Sequence, residues 1–106
     1  MKKVKKGDNS IKIGQKSATV YAVSALTQLQ SGTKEIVFQA RGRMVKTLID
    51  SIEVLKSRFH QEVQLTKFVT GTDTVKFIDK ESHKERTARV STLEVTIKSS
   101  TKKNEQ

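Results

Sequence analysis

Ile11 and Ile13 alternate with Ser10 and Lys12, the period of a short half-buried strand, and Gly14 ends it. The period then changes. Ala18, Ala22, Ala25, Leu26 and Leu29 recur at spacings of three and four, so one face of a helix runs to about Gln30. Ser17 is placed to cap its start, and Gly32 to follow its end in a left-handed conformation. Glu35–Ala40 predicts a second strand centred on Ile36, Val37 and Phe38. Arg41-Gly42-Arg43 predicts a turn. A second helix is expected from about Met44 to Phe59, with Val45, Leu48, Ile49, Ile52, Leu55 and Phe59 inward. Glu62–Val69 predicts a third strand with Val63 and Leu65 on one face, and Thr87–Lys98 a long fourth.

The order β-α-β-α-β-β predicts an α+β two-layer sandwich, two helices on a four-stranded sheet. The segment from Thr70 to Arg86 is too long for a plain turn. Thr74-Val75-Lys76-Phe77-Ile78 within it still reads as strand. Strands three and four are therefore expected to extend into a protruding hairpin arm with its tip near Asp79–Glu85. In strand four the apolar phase changes from even (Ala88, Val90) to odd (Leu93, Val95, Ile97). That change predicts a bulge or twist near Ser91-Thr92. Core is the expected place for Phe38 and Phe77.

Composition narrows the picture. A chain of 106 residues makes one domain, and the absence of cysteine excludes disulfide scaffolds, cysteine–zinc sites and thiol catalysis. No apolar run is long enough to span a bilayer, and the opening lysines lead into polar residues. The expectation is a soluble, intracellular protein with no membrane partner. The opening lysine run suits nuclear import or, equally, contact with nucleic acid. Residues 1–9 and 99–106 read as flexible tails around a domain at 10–98. The net charge is +10; taking off +3 for residues 1–9 and +1 for residues 99–106 leaves +6 on the domain itself. A field of that sign on the folded body favours polyanions, nucleic acid first.

Three places concentrate the chemistry. Gly14-Gln15-Lys16-Ser17 precedes a helix, where N–H groups and the helix dipole favour a phosphate and Lys16 adds a mobile charge. In Arg41-Gly42-Arg43, Gly42 permits a positive φ and the two guanidinium groups can fork onto phosphates; Lys46 lies one turn further on. The arm carries Lys76, Lys80, Lys84, Arg86 and Arg89 against Asp79, Glu81 and Glu85, a net of +2 suited to a minor groove. The aromatics are too few for a base-stacking platform. No nucleotide-binding glycine pattern is present, and His60 and His83 stand alone, so no cofactor or metal is expected. The one chemically sensible reaction is a lysine amine forming a Schiff base at an abasic site and promoting strand cleavage.

The chain also resembles the Alba-domain family, small basic chromatin and RNA-binding proteins of archaea and eukaryotes. The matching stretches are Ile13-Gly14-Gln15-Lys16, Tyr21, Glu35-Ile36-Val37 and Ala40-Arg41-Gly42-Arg43. They continue through Asp50-Ser51-Ile52-Glu53, Lys56-Ser57-Arg58-Phe59 and Arg89-Val90-Ser91-Thr92-Leu93-Glu94-Val95. The resemblance implies a homodimer that coats double-stranded DNA and RNA with little sequence preference, its arms along the minor groove. It implies that Phe59, beside Arg58, serves dimer or dimer–dimer contacts. In the family the first loop usually carries two lysines whose acetylation weakens binding, so a deacetylase acting on Lys16 is an implied partner. Here Gln15 stands where the first of those lysines is expected. The resemblance also admits a role as a subunit of a ribonucleoprotein such as RNase P or MRP.

Overall fold

A computed structural model describes residues 9–99. The N- and C-terminal tails lie outside the described residues, apart from Asn9 and Ser99. The elements are β1 (Ser10–Lys12), α1 (Ala18–Gln30), β2 (Glu35–Arg41), α2 (Met44–Ser57), β3 (Val63–Ile78) and β4 (Glu85–Ser99). They form the expected two-layer α+β sandwich. The sheet order is β1-β2-β4-β3, with β1 parallel to β2 and the other two pairs antiparallel.

Residues paired directly across a sheet share a face. Ile11 pairs Phe38 and Phe38 pairs Val95, and all three are buried. Ile36 with Ile97 and Ala40 with Leu93 extend that face. Tyr21, Ala22 and Ala25 of α1 and Leu48, Ile52 and Leu55 of α2 close over it. The other face of the sheet carries Lys12, Gln39, Arg41, Thr92 and Glu94, and among the described residues no helix packs on it.

The helix ends follow their cap residues. Ser17 Oγ accepts from the Val20 amide at 3.4 Å. Gly32, at φ +104°, donates to Leu29 while Thr33 donates to Gln28, a Schellman closure. Within α2 the inward stripe differs from the expected one. Ile49 is 48% exposed, and the stripe from Leu48 passes through Ser51 and Ile52 to Leu55. Apolarity alone suggested Ile49; it lies about 100° around the helix from Leu48. Ser51 is tolerated at 0% exposure because its hydroxyl donates to the Thr47 carbonyl at 2.7 Å.

The expected irregularity at Ser91-Thr92 is not there. The register shift falls in β3, between Leu65 and Lys67, and pairing then runs unbroken from Lys67↔Thr96 to Ile78↔Glu85. The apolar phase change in β4 has another cause. Leu93, Val95 and Ile97 lie under the helices, whereas Ala88 and Val90 lie on the opposite face, beyond them. The shielded side changes while the strand stays regular.

Beyond the last β2 pair, Arg41↔Thr92, the two strands continue for seven pairs, Thr72↔Ser91 to Ile78↔Glu85. At about 3.3 Å per residue that is an arm of roughly 23 Å. It stretches the molecule to 64 × 34 × 20 Å. Phe77 belongs to this arm and is 47% exposed, so it is not a core residue.

Candidate nucleic-acid interface

Topology assembles the site. β1 and β2 are parallel, so the β1–α1 loop and the β2–α2 turn leave the sheet at the same end. β4 is antiparallel to β2, so the arm projects from that end too. The three basic segments, far apart in sequence, thus share one end of the sheet. At the base of the arm the helix-free face holds a shallow concavity of about 550 Å³, lined among others by Lys12, Gln39, Arg41, Gly71, Thr92 and Glu94.

In the β1–α1 loop Gln15 and Lys16 are exposed. The backbone there differs from an open phosphate cradle. The Gly14 and Lys16 amides both donate to the Tyr21 hydroxyl, at 2.7 and 3.1 Å. What the loop presents is the Lys16 ammonium rather than those two amides.

The β2–α2 turn is held at φ +60° by Gly42, whose amide donates to the Ser91 carbonyl at 2.8 Å. A left-handed backbone there favours glycine. Arg43 caps α2 without a side-chain hydrogen bond, and the first turn has no acidic residue. The positive end of the helix dipole is left uncompensated beside Arg41 and Arg43.

Several of the expected contact residues already hold carboxylates. Arg41 meets Asp73 of β3 at 2.7 Å, both side chains about half exposed. Lys46 meets Asp50 at 2.7 Å, Arg86 meets Asp79 at 3.2 Å, and Lys76 meets Glu85 at 3.9 Å. Such exposed pairs contribute about 0–1 kcal/mol each, so a phosphate can replace the carboxylate. Among the described residues, no ion pair engages Lys16, Arg43, Lys80, Lys84 or Arg89.

The arm tip is a tight loop. The Asp79 amide donates to the Lys84 carbonyl and the His83 amide to the Asp79 carbonyl. His83 takes φ +59°. Lys80 and Lys84 therefore stand at the far end of the arm, about 20 Å from the turn at Gly42 by strand rise. Arg58 lies elsewhere, at the end of α2, donating to Thr19 Oγ1 of α1 at 3.3 Å; Phe59 is half-buried against the core.

Three participants were not picked out from the sequence as site residues. Tyr21 shapes the first loop, Asp73 holds Arg41, and Lys12 lines the concavity. Only Tyr21 had a usable signal, since a tyrosine on an inward helix face needs a partner for its hydroxyl. Asp73 lies 32 residues from Arg41, and no local pattern joins them.

Comparison with known proteins agrees with this fold. The Alba family model matches residues 9–72. The DNA/RNA-binding protein Alba of Methanocella arvoryzae is 32% identical over 91 residues, covering 86% of this chain and 90% of that protein. The DNA/RNA-binding protein Alba 1 of Archaeoglobus fulgidus is 32% identical over 90 residues, covering 85% and 94%. Among solved structures, Alba from Thermoplasma volcanium superposes with a TM-score of 0.68 at 22% identity, covering 85% of this chain and 99% of that one. An Alba protein from Trypanosoma brucei gives 0.64 at 17% identity, covering 92% and 74%. With the family model spanning more than half of its length and relatives matched along most of theirs, the chain belongs to the Alba family.

Proposed function

We propose that this protein binds double-stranded DNA and RNA through their phosphate backbones, with little sequence preference, and does so as a homodimer. The observation that carries the reading is the convergence of three basic segments on one end of the sheet, one of them an arm. The relatives' names as DNA/RNA-binding proteins support it. Lys16, Arg43, Lys80, Lys84 and Arg89 are contacts available without rearrangement; Arg41, Lys46, Lys76 and Arg86 exchange a carboxylate for a phosphate. Gln15 lines the loop without adding charge, and Gly42 sets the turn. Lys16 is the loop's one amine, so its acetylation, reversed by a deacetylase, removes the charge there.

The homodimer is supported by an uncovered apolar surface on β3. Leu65 and Phe68 share the helix-side face with Ile97 and Val95, yet are 39% and 59% exposed, since neither described helix covers them. β3 is an edge strand, and an exposed apolar edge invites pairing with a second copy.

A salt titration tests the binding mode. With about six phosphates neutralised, log affinity for a B-form duplex should fall against log salt with a slope near −5. Duplexes of different sequence should give superimposed curves. A flat response, or tight preference for one sequence, refutes the reading.

Asp73→Asn tests the carboxylate exchange. Losing the internal competitor for Arg41 should raise duplex affinity about threefold, with the fold unchanged. Unchanged or weaker binding by the folded variant would show that Arg41 does not change partners.

A further inference from the structure

We infer that Tyr21 is the positioning residue of the β1–α1 loop, and that Lys16 reaches a phosphate effectively only while the Tyr21 hydroxyl holds that loop. The inference rests on the reading of Lys16 as a phosphate contact. Tyr21 stands in the first turn of α1, 9% exposed, with its ring in the hydrophobic core. Its hydroxyl oxygen accepts from the amides on either side of Gln15, at 2.7 Å from Gly14 and 3.1 Å from Lys16. Both lone pairs of the phenol oxygen are thereby used. The ring is placed by core packing, so the loop takes its shape from a rigid element rather than from its own residues.

Two consequences follow for recognition. The hydroxyl occupies two amides that would otherwise be free to donate to an anion, so the loop reads phosphate with the Lys16 side chain. The Lys16 backbone is also tethered at its own amide. Tethering restricts the volume the ammonium explores and reduces the entropy lost on binding. Without the hydroxyl, the two amides turn to water and the loop loses its template.

The test is a double-mutant cycle with Tyr21→Phe, Lys16→Gln and the pair, titrated on a 20-base-pair duplex at several salt concentrations. Phenylalanine keeps the ring and removes only the acceptor. Each single variant should weaken binding about threefold to tenfold, and the pair should bind no more weakly than Lys16→Gln alone. The salt slope should lose about 0.9 in Lys16→Gln and in the pair alike. A folded Tyr21→Phe protein that binds like the parent overturns the inference and leaves Lys16 as a contact. So does a Tyr21→Phe penalty of equal size in both backgrounds. If Lys16→Gln itself changes neither affinity nor slope, the contact reading of Lys16 fails and takes the inference with it. Hydrogen exchange on the parent protein covers the case of a variant that does not fold. The Gly14 and Lys16 amides should be protected and stay protected on the duplex; exchange at the rate of free amides overturns the inference.

Discussion

Replacing residues 76–87 by Asn-Gly is expected to leave a folded dimer whose affinity for duplex DNA is lower by tenfold or more. Val75↔Ala88 would then close a two-residue hairpin in the native register. The segment removed holds no core residue, and its two large apolar side chains, Phe77 and Ile78, are 47% and 61% exposed. Its loss should cost the fold little. What goes is reach and charge: Lys76, Lys80, Lys84 and Arg86 leave with Asp79, Glu81 and Glu85. On the proposed homodimer reading two arms engage the same duplex, and each would hold the other near its groove at high effective concentration. The loss should therefore exceed that expected for a net change of one charge. Single strands, which offer no second groove at a fixed distance, should be affected less. Thermal melting with binding on both substrates decides the matter. Unfolding would make the arm structural; unchanged duplex affinity would place all binding on the body.

Leu65→Ser with Phe68→Ser is expected to give a folded monomer that binds duplex DNA about a hundredfold more weakly. Both side chains are already exposed in the single chain, so shortening them removes little of its own core. If β3 is the contact with a second copy, the same change removes the apolar centre of that contact. The basic residues remain untouched, so any loss of affinity reports the loss of two linked sites, an effect in the range of about 10²–10⁴. Sedimentation equilibrium gives the oligomeric state, and titration on one duplex gives the affinity. A variant that stays dimeric places the interface elsewhere. A monomer with full affinity would show that the two sites do not act together.

The element order, both helix boundaries near Ser17 and Gly32, the Gly42 turn and the extended arm were legible along the chain. Each rests on a local cause: a period of exposure, a cap, a glycine or a length too great for a turn. Ile49 and Phe77 show where local patterning stops. Both are apolar, but burial depends on whether another element covers them, and among the described residues none does. Ala88 and Val90 carry the same lesson, since the phase of a strand records which face is shielded, and the helices end before the arm begins.

Sequence by itself determined the basic groups, their kinds and their placement in loops, turn and arm, because charge and chain geometry are properties of neighbouring residues. Only the tertiary structure decided that these groups share one end of the sheet, since that follows from β1 and β2 being parallel and β4 running against them. It also decided which groups are occupied. Arg41 finds Asp73 across 32 residues, and the Tyr21 hydroxyl finds two amides in the loop ahead of its helix, seven and five residues back. Such partners are chosen by register and packing, where a hydrogen-bonding group takes the nearest complement in space, and one-dimensional patterning holds no record of that distance.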